Sequence, residues 1–73
     1  MMLQELFDRW NEIQKLRSGN EGREQDWLSE ELNLLEAMRL LDCRAIPDEP
    51  SNIQALISDR HRRLEAILRK RKD

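Results

Sequence analysis

Apolar residues along this chain recur at helical rather than strand spacing. The densest run is Trp27 to Leu41. Trp27, Leu34 and Leu41 stand seven apart, and Leu28, Leu32, Leu35 and Met38 fill the intervals. At about 100° per residue these side chains cover about half of a helix circumference, wider than the ~100° stripe that suffices against one neighbour. A helix with so wide a stripe needs packing on both flanks, which predicts the middle helix of three.

The flanking segments carry narrower stripes. Leu3, Leu6, Trp10 and Ile13 alternate by threes and fours, with Phe7 and Leu16 beside them, and predict a first helix over about 3–17. Ser18-Gly19-Asn20-Glu21-Gly22 then reads as a short turn, so the first two helices should be antiparallel. The second helix is predicted over about 24–43. Glu24 and Asp26 lie in its first turn, where the positive end of the helix dipole favours acids. Pro47 and Pro50 prevent its continuation, and Ile46 between the helices should fold back onto the core. A third helix over about 51–71 opens with Ser51 and, three residues on, Gln54, the pattern of a capping box. Ile53, Ile57, Leu64 and Ile67 form its seam. The predicted fold is an all-α, three-helix antiparallel bundle. The alternative is a hairpin of the second and third helices that dimerises into a four-helix bundle, with the first helix as an arm.

Two charged residues interrupt these seams. Glu31 occupies a core position of the second helix, and Arg60 a core position of the third. Antiparallel packing brings them to within about one turn of each other, close enough for an arginine to bridge. Trp10 lies beside Glu31 in the same packing, and its indole N–H is expected to donate to the carboxylate. Such a pair sets helix register more than it adds net stability. The competing interpretation turns Glu31 and Arg60 outward, as partner contacts. Leu40 belongs with them as a candidate because it points away from the apolar stripe, near Ala37 and Asn33.

Composition bounds the chemistry. Seventy-three residues make one domain at most. A domain of this size buries only about 60% of the surface its unfolded chain exposes, so self-association is a plausible source of further core. Charged residues are 38% of the chain and aromatics 4%. Glu5, Asp8 and Arg9 interrupt the N-terminal apolar run, so neither an export signal nor a membrane span is expected. With a single cysteine, Cys43, this points to the cytoplasm. Cys43 and His61, the only residues of their kinds, cannot make a four-ligand zinc site. No nucleophile accompanies Glu31 and Arg60, and no phosphate-binding glycine loop is present. The sequence therefore predicts no enzyme activity, no cofactor and no small-molecule substrate.

Charge is divided unevenly. Residues 1–50 hold twelve acids and six bases, and residues 51–73 hold three acids and seven bases. Arg62 and Arg69 are seven apart, as are Arg63 and Lys70, which places all four on one face of the third helix. The ridge they form, about 10 Å long at 1.5 Å per residue, could follow a phosphate backbone or an acidic protein surface. The expected function is a small helical protein-binding module (an adaptor, inhibitor or small chaperone), self-associating or bound to a helical partner. The alternative is a nucleic-acid-associated regulator that uses the basic ridge.

Overall fold

A computed structural model describes residues 2–19 and 23–71 of the chain, with nothing of the Arg71 side chain. Three helices run up, down and up: α1 (Leu3–Gly19), α2 (Glu24–Leu40) and α3 (Ile53–Arg71). This is a small all-α three-helix bundle. Helix α1 is not a detached arm, because it contributes Leu6, Trp10 and Ile13 to the interior. It runs through Gly19, two residues beyond the predicted end. Residues 20–22 of the predicted glycine turn, and Lys72 of the C-terminal basic run, lie outside the described residues.

Helix α2 is the middle element. It packs against both neighbours, whereas no Cα of α1 comes within 8 Å of one in α3 among the described residues. Leu28, Glu31, Leu32, Leu35 and Met38 are buried along it. Since α1 and α3 do not touch by their backbones, long side chains must fill the space between them. Leu6 and Trp10 from one side and Ile53, Leu56 and Ile57 from the other meet Leu32, Leu35 and Met38 in one cluster. Ile46, 2% exposed, closes the same cluster from the α2–α3 connection.

That connection explains where α2 stops and α3 starts. Helix α2 ends at Leu40, three residues before the predicted limit. Asp42 takes a left-handed conformation at φ 61°. The Cys43 N–H donates to the Met38 carbonyl at 3.0 Å, and the Asp42 N–H donates to the Arg39 carbonyl at 3.0 Å. These two bonds make a Schellman termination, with aspartate where glycine is usual. Pro47 and Asp48 then form a turn closed by a 3.1 Å bond from the Glu49 N–H to the Ile46 carbonyl. Proline in second place and a positive φ of 66° at Asp48 fit a type II turn. Ala45 pairs antiparallel with Asn52, and the Ile53 N–H donates to the Arg44 carbonyl at 2.8 Å.

The start of α3 differs from the predicted capping box. Asn52, not Ser51, is the cap: its Oδ1 accepts the Ala55 N–H at 2.8 Å. The bridge to Ala45 holds Asn52 in extended backbone, so the helix begins one residue later than a serine cap requires.

Candidate functional site

Glu31 has no exposed surface. A carboxylate in that position is tolerable only if donors surround it, and α1 and α3, the two neighbours of its own helix, supply them. From α3, Arg60 Nε donates to Glu31 Oε1 at 2.5 Å. From α1, Arg17 Nη1 reaches the same oxygen at 3.5 Å, and Gln14 Nε2 donates to Oε2. Gln14 is itself held by Arg17, whose Nη2 donates to Gln14 Oε1 at 3.0 Å. Arg60 turns its Nη1 to Asp59, one residue back, and Arg63 Nε reaches the same Asp59 oxygen at 3.0 Å.

The charges follow from this arrangement. Burial works against the Arg60 cation, and the Glu31 carboxylate more than offsets it, so the guanidinium is held above its ordinary range. Burial likewise opposes ionisation of Asp59. The hydrogen bond from Arg60 and the charge of Arg63 outweigh it, and Asp59 is held below its ordinary value. A second ion pair, between Arg9 and Glu30, ties α1 to α2 nearer the surface. Its side chains are about two-fifths exposed, so solvent screens the pair and it adds little to stability.

Two predicted assignments change here. Trp10 does not serve Glu31. Its Nε1 is buried without a hydrogen-bond partner among the described residues, and Gln14 of the same helix donates to the carboxylate in its place. Glu31 and Arg60 were candidates for a partner surface, yet both turn inward and engage this chain's own side chains. Of that group Leu40 alone is exposed, at 78%. Gln14, Arg17 and Asp59, which complete the polar centre, were not singled out by their spacing, since they fall off the apolar seams.

The four predicted ridge residues of α3, unlike Arg60, are on the surface. Arg62, Arg63, Arg69 and Lys70 are all exposed. Two have carboxylates one turn back, Asp59 for Arg63 and Glu65 for Arg69 at 3.9 Å. Arg62 and Lys70 make no ion pair among the described residues. His61 is exposed beside them. Cys43 packs against the core edge and donates its thiol to the Ala45 carbonyl at 3.2 Å. It lines an open depression of about 280 Å³ with Arg39, Arg44, Asn52, Ile53 and Gln54.

Among the described residues no three of the histidine, cysteine, aspartate and glutamate side chains gather as metal ligands. No helix among them is long and apolar enough to cross a membrane. No protein-family model matches the chain, and no curated protein or solved structure is significantly similar to it.

Proposed function

We propose that this chain is a non-enzymatic protein-binding module of the cytoplasm, an adaptor, inhibitor or small chaperone that works by self-association or by docking on a helical partner. The observation that supports this reading is the exposure of large apolar side chains at one end of the bundle. Leu40 is 78% exposed, Met2 72% and Leu41 47%. A small domain gains nothing for its own stability from leaving such groups in water, and clustered exposed apolar side chains mark interaction surfaces. The buried charges Glu31 and Arg60 are engaged with this chain's own side chains, which leaves the surface to carry recognition. The lone free thiol accords with a reducing compartment. Affinity capture with the intact chain and with Leu40→Glu tests the proposal. A protein retained by the first and released by the second is the expected result, and identical retention, or none, would overturn it.

The exposed ridge Arg62, Arg63, Arg69 and Lys70 supports a second reading, a regulator that binds nucleic acid. It has less support, because Arg63 and Arg69 are each within reach of a carboxylate. Binding of DNA or RNA that weakens steeply with salt, and disappears when the four are neutralised, would favour it.

A further inference from the structure

The three helices are not joined alike. Between α2 and α3, Arg60 Nε donates to Glu31 Oε1 at 2.5 Å. Ala45 pairs with Asn52, and the Ile53 N–H donates to the Arg44 carbonyl at 2.8 Å. Each of these polar contacts lies within residues 31–60, so the departure of α1 breaks none of them. Ile46, Ile53, Leu56 and Ile57 add buried apolar surface to the same pairing.

Helix α1 is held differently. Among the described residues its backbone approaches α2 but not α3. It buries Leu6, Trp10 and Ile13. Gln14 donates to Glu31 Oε2, while Arg17 Nη1 reaches Oε1 at 3.5 Å, the outer limit of a hydrogen bond. The Arg9–Glu30 pair is open to solvent. Docking of α1 also buries Trp10 Nε1 without a partner among the described residues, a donor that water satisfies once the helix leaves. Glu31 would then keep Arg60 on Oε1 and take water on Oε2. The seat beneath α1 belongs to the cluster that Leu6 and Trp10 share with Leu32, Leu35 and Met38. An amphipathic helix laid in an apolar groove of this kind is a recurring mode of recognition.

Resting on the protein-binding reading, we propose a second docking seat, distinct from the exposed end around Leu40: α1 is displaceable, and a partner's helix binds α2 and α3 in its place. The seat defines that helix. It presents apolar side chains four and then three residues apart, as Leu6, Trp10 and Ile13 do, with an amide next to the third, as Gln14 is. At the Trp10 position it carries an apolar side chain with no N–H, so it buries no unpartnered donor. That difference lets it compete with α1, whose advantage is its tether to the same chain.

Two measurements on the full chain test this. Hydrogen exchange reports which helices open together. Corrected for intrinsic rates, the Trp10 and Ile13 amides should exchange about tenfold or more faster than those of Leu35 and Ile57. The second measurement is binding of a labelled peptide with the sequence of residues 2–19 carrying Trp10→Leu. Gln14→Ala in the full chain loosens α1, leaves the seat open in a larger fraction of molecules, and should tighten peptide binding about tenfold. Gln14→Ala in the peptide should weaken binding by about the same factor, because Glu31 Oε2 loses its donor. Arg9→Ala in the full chain loosens α1 without touching the polar centre and should also tighten binding, by about twofold. Circular dichroism checks that each variant folds. Opposite effects of one substitution in the tethered and the free helix are what a shared seat requires. Exchange of α1 at the rate of α2 and α3, no peptide binding up to about 1 mM, or Gln14→Ala acting in one direction in both places would overturn the proposal. If the peptide fails while affinity capture still retains a protein that Leu40→Glu releases, displacement of α1 falls and the protein-binding reading stands.

Discussion

Arg60 Nε donates to the buried Oε1 of Glu31 at 2.5 Å, across the contact between α3 and α2. The bond joins two residues that each occupy a core position, so it replaces apolar packing at the middle of the bundle with a directional one. Arg17 and Gln14 complete it from α1. Because α1 and α3 do not approach each other by their backbones, this carboxylate is where all three helices are joined by polar contacts. A slip of one residue in either helix pair would strand it. The pair is therefore a register device, and its contribution to net stability is small beside the cost of breaking it.

The cap of α3 gives a clean contrast between neighbours. Asn52→Ala removes the acceptor for the Ala55 N–H and should cost about 1 kcal/mol in urea unfolding. Ser51→Ala should change stability by less than about 0.5 kcal/mol. Equal costs at the two positions would argue for a serine cap.

Asp42 sits at φ 61° where the chain leaves α2. Glycine reaches that conformation without the Cβ penalty. Asp42→Gly is expected to raise the unfolding midpoint, by up to about 1 kcal/mol in stability, and Asp42→Val to lower it. A loss of stability in the glycine variant would contradict the assigned termination.

Asp59 sets a pH dependence. Its carboxyl is held below the ordinary value of 3.8: burial pushes it up, and the bond from Arg60 with the nearby Arg63 charge pushes it further down. The folded state thus binds its proton less readily than the unfolded state does. The stabilisation is present above about pH 4 and is lost as pH falls through the folded value. Unfolding curves at a series of pH values should show Asp59→Asn with a shallower decline below pH 4 than the natural chain. At neutral pH the same substitution should cost about 1 kcal/mol or less, since Asp59 is more than a third exposed. Parallel declines for the two proteins would remove Asp59 from the acid response.

Much of this architecture is legible in the spacing of apolar residues. Leu28, Leu32, Leu35 and Met38 mark the buried face of the central helix, whereas Leu41, expected on the same stripe, lies past the helix end and is 47% exposed; Pro47 with Pro50 marks the connection to the next helix. Glu31 and Arg60 stand out because a charge on an apolar seam breaks a pattern. Gln14, Arg17 and Asp59 break none. They lie beside the seams and reach the carboxylate sideways on long or turned side chains, and periodicity carries no information about such reach. The same limit misassigned Trp10, whose position beside Glu31 is a matter of register while its N–H direction is a matter of rotamer. Asp42 and Asn52 are local choices of backbone conformation, the first tied to the bonds that end α2 and the second to the short Ala45–Asn52 pairing, and apolar spacing carries neither.

A double-mutant cycle on Glu31 and Arg60 tests the central claim, that these residues form an internal polar centre and not part of a binding surface. Glu31→Leu and Arg60→Met are each made alone and together, and unfolding is measured at two protein concentrations. Each single substitution leaves a buried charge without its main partner and should cost about 3 kcal/mol. The double substitution should recover most of that loss, because two apolar side chains replace a pair whose desolvation cancels much of its attraction. The account predicts a coupling of about 2–3 kcal/mol, the same at both concentrations. Additive shifts of less than about 0.5 kcal/mol each, with midpoints that move with concentration, would contradict it and place the two residues at an interface between chains.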